Sequence, residues 1–235
     1  LADLMSNMVL NLFITTPKEQ KDILRFETIT FGRNLHMNQF SRQVRSIKMT
    51  STTLNLVVAA CNNNGIGIDG RLPWRLRKDM DFFKKITTET KDPEKKNAVI
   101  MGRKTWFSIP EKFRPLKDRI NIVLSREIKE IESGVYLSRG LQEALDLIKD
   151  GDLSSKVEHV YIIGGSSVYK EVMTGPYKCR LYLTRIMADF ECDTFLPDID
   201  EKVFQKIENP VNVPSGIHSE NDINFQFEVY DKVQT

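Results

Sequence analysis

The chain has 235 residues, 40% hydrophobic and 28% charged, a globular composition long enough to bury one sizeable core. No apolar run approaches the length of a bilayer span, and the three cysteines (Cys61, Cys179, Cys192) and three histidines (His36, His159, His218) lack metal-ligand spacing, so a membrane-spanning helix and a metal cluster are both excluded as expectations. The formal net charge of +2 sits at one end: residues 1–52 hold seven Lys/Arg and four Asp/Glu, leaving 27 and 28 for the remainder, so no nucleic-acid surface follows from charge.

Residues 1–52 show no clear periodicity. From 28 to 50 there is no acid, while Arg33, Arg42, Arg45 and Lys48 are present. That composition could be an organelle transit peptide, but a plain extension or upstream translated sequence, with Met49 as the start, is the favoured reading. The segment is expected to be poorly ordered or partly helical, with too little apolar pattern for a core of its own. The odd cysteine count favours a reducing compartment, hence the cytoplasm, or the mitochondrion if 1–52 is a targeting segment.

From residue 54 onward, short apolar strands alternate with helical patterns, as in an α/β sheet with crossover helices. Strands are predicted at 54–60, 98–100, 120–124, 160–163 and 180–184. Residues 77–86 read as a helix. Leu141, Ala144, Leu145 and Ile148 have helix spacing that Asp150-Gly151 ends, and Val168, Val172 and Met173 mark a further helix closed by Gly175-Pro176. The tail 223–231 alternates apolar and polar residues and reads as an antiparallel edge strand. The fold class is therefore a single α/β domain over 53–235: a central, mostly parallel mixed sheet with an antiparallel C-terminal strand, flanked by helices.

Chemistry gathers where strands end. After 54–60 comes a loop with three asparagines and three glycines, Asn62-Asn63-Asn64-Gly65-Ile66-Gly67 and then Asp69-Gly70-Arg71-Leu72-Pro73-Trp74, able to cover a ligand. A bare surface turn does not suit Leu72, Pro73 and Trp74, which are too apolar to leave in water. In the following helix Asp79 shares a face with Phe82, Phe83 and Ile86. Helix spacing alone leaves two possibilities: an exposed margin, or a buried carboxylate that requires a partner.

The strand at 98–100 runs into Met101-Gly102-Arg103-Lys104-Thr105, and 120–124 into Ser125-Arg126; Arg139 follows the run 135–137. The run 160–163 meets Gly164-Gly165, with Ser166 and Ser167 opening a helix. Backbone amides and cations at such turns suit phosphate oxygens, although the spacing is not that of the common GxGxxG loop. Each pair alone reads as solvated surface. Three cation-bearing strand ends, after 98–100, 120–124 and 135–137, on one sheet edge point to a ligand.

Together these motifs resemble dihydrofolate reductase. GIGxxGxLPW (65–74), MGRKTWFSIP (101–110), RPLKDR (114–119), LSR (124–126), IGGSSVY (163–169), TRI (184–186) and DTFLP (193–197) stand in that family's order, over essentially all of 54–235. The resemblance implies reduction of 7,8-dihydrofolate to tetrahydrofolate with NADPH, in the service of one-carbon metabolism and thymidylate and purine synthesis. It implies a monomer that binds dihydrofolate and antifolates, without metal, membrane or nucleic acid.

It also assigns sites by analogy. Val57, Val58, Asp79, Met80, Phe83, Ile163, Tyr169 and Thr184 would meet the pterin, with Asp79 accepting from N3 and the 2-amino group. Trp74 would hold a water near Asp79, and Leu72 and Thr184 would complete the catalytic group. Ile109, Phe113 and Leu116 would pack the aminobenzoyl group, and Arg119 would clamp the glutamate α-carboxylate. The cofactor would lie along Ala59, Ile66, Gly67, Gly70, Arg71 and Leu72 on the first loop. It would continue over Gly102, Arg103, Lys104, Thr105, Leu124, Ser125, Arg126 and Arg139, and over Ile163, Gly164, Gly165, Ser166, Ser167, Val168 and Tyr169. Arg126 would take the 2′-phosphate, and the Gly164-Gly165 bond would be cis. Departures from vertebrate-type members are Asp79 for Glu, one residue fewer between Trp74 and Leu76, Met80 for an aromatic and Phe113 for a polar residue.

Overall fold

A computed structural model describes residues 52–208 and 210–233. The expectations for residues 1–52 lie, apart from Thr52, outside the described residues. Eight strands follow the order β10-β11-β7-β1-β6-β3-β4-β5, with β9 (Phe204–Lys206) paired to β11 off that path. They are β1 (Leu54–Ala60), β3 (Lys96–Gly102), β4 (Arg119–Leu124), β5 (Val135–Ser138), β6 (Val157–Ile162), β7 (Cys179–Ile186), β10 (Ile217–Glu220) and β11 (Ile223–Lys232). From β7 to β5 every neighbour is parallel, and β11 joins β7 antiparallel. A small ribbon pairs β2 (Gly65–Gly67) with β8 (Thr194–Phe195).

Among the described residues, four α-helices cover the sheet: α1 (Arg77–Thr88), α2 (Arg103–Ser108), α3 (Leu141–Lys149) and α4 (Ser166–Thr174). Buried on both faces, β1, β3 and β6 read as continuous apolar runs. Leu54, Leu56 and Val58 join α3 and α4 in one core layer, and Val57, Val99 and Met101 join Trp106 of α2 and Phe83 and Ile86 of α1 in the other. The parallel strands share one carboxyl edge, so their following loops converge there.

The tail is antiparallel as its alternation predicts, but it is not an edge. It lies between β7 on one side and β9 and β10 on the other. The hidden partner is β10, joined through Asn221 and Asp222, both left-handed (φ 52° and 60°). Positive φ at both central positions makes the tight turn whose twist matches a hairpin. Strands β3, β6 and β7 also extend beyond their apolar runs, because polar residues such as Lys96, Asn97 and Glu158 continue the ladder. Among the described residues no helix is long and apolar enough to cross a membrane.

Candidate active site

Asp79 settles the alternative left open by its spacing: it is 4% exposed. It sits one turn into α1, where Phe82 packs on Phe227 of β11 (ring centroids 4.3 Å apart). Ala59, Thr184 and Phe227 are in register across β1, β7 and β11 and so share the face toward α1. The Thr184 hydroxyl donates to the Asp79 carboxylate at 2.7 Å. Burial raises the Asp79 pKa from 3.8 to about 6, opposed by the Thr184 bond and aided by the negative charge of Glu220.

Beside it, Val57, Phe83, Ile109, Leu116 and Ile163 belong to one apolar cluster. Met80 and Phe113 stand 45% and 57% exposed, large apolar groups that water does not favour. The Val58 side chain points to the opposite face, into the core with Tyr169 and Val168, because successive strand residues alternate. Only its backbone can face a ligand on the Asp79 side. Tyr169 is likewise buried, and its hydroxyl donates to the Val57 carbonyl at 2.6 Å; burial keeps this phenol protonated well above its ordinary range.

Arg119 begins β4. Its Nη1 donates to Thr87 Oγ1 and its Nε to the Lys117 carbonyl, each at 2.9 Å, with the guanidinium 5.8 Å from the Phe83 ring centroid. Burial lowers its pKa from the ordinary value and nearby Asp118 opposes this; a guanidinium stays charged regardless. The loop before it is shaped by Asn121, which accepts from the Leu116 N–H (3.0 Å) and donates to the carbonyls of Leu116 and Arg119. The Arg114-Pro115 bond in that loop is cis.

The other half of the edge is polar. Gly102 N–H donates to Gly164 O (2.8 Å) and Ile163 N–H to Ile100 O (3.0 Å), which ties the cis Gly164-Gly165 turn to the end of β3. Gly164 has φ +117°, and a Cβ at either glycine would lie 3.2 Å from Thr105 Oγ1. This is a cradle that side chains would fill. The first-turn amides of α2 and α4 open beside it, with exposed Lys104, Arg126 and Arg139 around the rim. The arrangement fits a diphosphate-bearing cofactor. Replacing Gly164 by Ala is expected to cost about 1–3 kcal/mol of strain, read as a lower Tm and a weakened Kd for a diphosphate-bearing cofactor.

Several expected phosphate ligands are partly engaged within the protein. Arg103, partly exposed, pairs with exposed Glu127 at 3.0 Å, a contact that an anion can displace. Ser125 accepts from the amides of Glu127 and Ile128, both at 3.1 Å, and keeps its own proton to donate. Ser166 donates to the Phe195 carbonyl, so its hydroxyl is committed to β8, and the Val168 N–H is bonded to the Gly165 carbonyl at 3.0 Å, its side chain packing beneath Gly102. Leu124 is half-buried at the end of β4 and Ser167 is exposed.

On the first loop, Ile66 and Gly67 lie in the β2–β8 ribbon, Gly70 and Arg71 are exposed, and Leu72 is 46% exposed. Trp74 is buried against Phe190 with Ala59 in the same cluster, yet its indole N–H meets no acceptor among the described residues. Buried donors are ordinarily paired, so a ligand or water is required there.

Glu220 escaped the sequence analysis. Its Oε1 accepts from Arg77 N–H (2.7 Å) and its Oε2 from Lys78 N–H (3.0 Å), capping α1 from β10, while Leu76 at the cap position offers no side-chain acceptor. A partner 143 residues away leaves no local signal. Glu220→Gln is expected to lower Tm by a few degrees and to move the Asp79 titration slightly downward, as a melting scan and a carboxyl-resolved pH titration would show. Among the described residues no group of three or more His, Cys, Asp or Glu could hold a metal ion.

Residues 53–232 match the family model described as dihydrofolate reductase. The chain is 53% identical over 182 residues to dihydrofolate reductase of Gallus gallus, covering 77% of this chain and 96% of that protein. It is 52% identical over 181 residues to that of Bos taurus, covering 76% and 97%. Among solved structures, Schistosoma mansoni dihydrofolate reductase superposes with a TM-score of 0.70 at 45% identity, covering 77% of this chain and 99% of that one. A buried carboxyl on α1, a cradle at β3 and β6, and these matches agree: the chain belongs to the dihydrofolate reductase family.

Proposed function

We propose that this protein reduces 7,8-dihydrofolate to 5,6,7,8-tetrahydrofolate with NADPH, and that Asp79 is the residue on which the chemistry turns. The carrying observation is a carboxyl 4% exposed, bonded by Thr184 and ringed by apolar side chains at the ligand edge. Flat heterocycles with adjacent N–H donors pair with such a carboxylate through two charge-assisted bonds. Diaminopyrimidine-type antifolates offer the same pair of donors.

Bound NADPH supplies the hydride; the protein supplies position and charge. Asp79 holds the pterin through N3 and the 2-amino group, and its negative charge favours a proton at N5, which makes C6 the better hydride acceptor. With a pKa of about 6 the carboxyl is mostly ionised at neutral pH, so the charge is available to act on N5. Trp74, with its unpaired indole N–H, anchors the water that relays the proton. Leu72, exposed on the 65–74 loop, closes over the reacting atoms and excludes bulk water.

Arg119 takes the α-carboxylate of the glutamate tail, pre-set by Thr87 and the Lys117 carbonyl, while Ile109, Phe113 and Leu116 pack the ring between. Lys104, Thr105, Arg126 and Arg139, with the amides around Gly164-Gly165, hold the cofactor phosphates. The test is direct: purified chain, NADPH and dihydrofolate, followed through loss of the reduced-nicotinamide absorbance. Oxidation dependent on dihydrofolate is expected; none at any substrate concentration would overturn the assignment.

A further inference from the structure

Cys61 and Cys192 take no part in that chemistry, yet their sulfurs lie 4.0 Å apart across 131 residues of chain. Cys61 closes the end of β1, fully buried, its thiol donating to Asn63 Oδ1 at 3.0 Å; Cys192 precedes β8 and is partly exposed. Gly65 lies between them. A Cβ there would fall 2.4 Å from the Cys192 sulfur and 2.9 Å from that of Cys61, so only glycine leaves the two thiols this close. The surrounding backbone is already tied: Cys61 N–H to Gly65 O, Asp193 N–H to Gly67 O and Leu196 N–H to Asn64 O, at 3.0, 3.0 and 2.8 Å. Cys179 begins β7 beside Leu54 at the opposite end of the sheet and cannot join them.

We propose that Cys61 and Cys192 form a dithiol site that small-molecule disulfides oxidise to an intramolecular disulfide, latching the root of the 65–74 loop to the segment before β8. The sulfur of Cys192, a partly exposed residue, attacks one sulfur of the reagent as thiolate. The reagent's S–S bond breaks, and one thiol leaves with the electron pair and takes up a proton. The Cys61 sulfur then attacks Cys192 in the mixed disulfide and expels the second thiol. The protein loses two electrons and two protons, and the reagent gains them as two thiols. A bond of about 2.05 Å requires the sulfurs to close from their present separation by side-chain rotation, which the missing Cβ at Gly65 permits. A closed ring of this length restricts the unfolded chain, and a latched loop opens more slowly for product release.

The experiment treats the full chain with oxidised glutathione, without denaturant, and reads intact mass, peptide map, Tm and dihydrofolate turnover. Expected are loss of two hydrogens, a crosslinked peptide pair containing Cys61 and Cys192, a higher Tm, and a kcat lower by roughly three- to tenfold. Dithiothreitol should reverse all four. Cys192→Ser, at a partly exposed position, should keep basal kcat and Tm and resist the reagent. A persistent glutathione adduct without the crosslink, a crosslink through Cys179, or an unchanged kcat in the crosslinked protein would each overturn the proposal. Mass and peptide map report on the dithiol even if dihydrofolate is not the substrate, so the two failures are distinguishable.

Discussion

Asp79→Asn is expected to cut turnover by roughly 10²–10⁴-fold at neutral pH, the range a positioned proton-transfer group contributes. The amide keeps the shape and can still accept from Thr184, but it carries no charge to favour a proton at N5. The deficit should shrink as pH falls, because solvent then protonates the substrate without help. Steady-state rates from acidic to neutral pH check this; near-normal neutral turnover would remove Asp79 from its role.

The same substitution should make the ligand-free protein more stable. The folded carboxyl has its pKa raised from 3.8 to about 6, so the native state binds that proton more tightly than the unfolded chain does. Its contribution is fully present below the unfolded value, is lost as pH rises through about 6, and changes little beyond. Removing the ionisable group therefore removes a penalty on the order of 2–3 kcal/mol at neutral pH. Denaturant unfolding of both proteins at acidic and neutral pH should show the gain only at the latter. Buried charge at this position costs stability.

Arg119→Ala is the second large effect. The guanidinium is held by Thr87 and the Lys117 carbonyl before any ligand arrives, so little ordering remains on binding. Losing a charge-assisted, two-pronged contact costs about 2–3 kcal/mol, on the order of 10²-fold in affinity. The KM for dihydrofolate should rise by that factor while kcat changes little, since the clamp is remote from the reacting carbon and binds ground and transition states alike. A dihydropterin without the glutamate tail should be reduced equally by both proteins. An unchanged KM for dihydrofolate would instead favour a tail-less pterin or pyrimidine substrate.

The sequence made the interior of the fold legible because parallel strands buried on both faces are uninterrupted apolar runs. Thus β1, β4, α1, α3 and α4 are recognisable nearly to the residue. Short strands exposed on one face carry no such pattern, so β9 and β10 leave no sequence signal and the C-terminal strand reads as an edge. The candidate site was legible as a set of motifs, and by resemblance as roles. Which hydroxyl serves the ligand and which serves the fold was not. Ser166 and Ser125 look alike in sequence, but one donates to Phe195 and the other caps a turn. A pair of valines does not declare in sequence which side chain faces α1; the structure puts Val57 there and Val58 in the opposite layer. Glu220 was invisible for a simpler reason: its partners are distant in sequence and are backbone amides, which carry no side-chain identity.

The most direct test is a pH titration of the Asp79 carboxyl in the ligand-free protein, with ¹³C-labelled aspartate and Asp79→Asn to assign the resonance. A buried, Thr184-bonded acid at the ligand edge should titrate with a midpoint of about 6. A midpoint at the ordinary value of 3.8 would mean a solvated carboxylate, and would contradict the assignment of the chemistry to this residue.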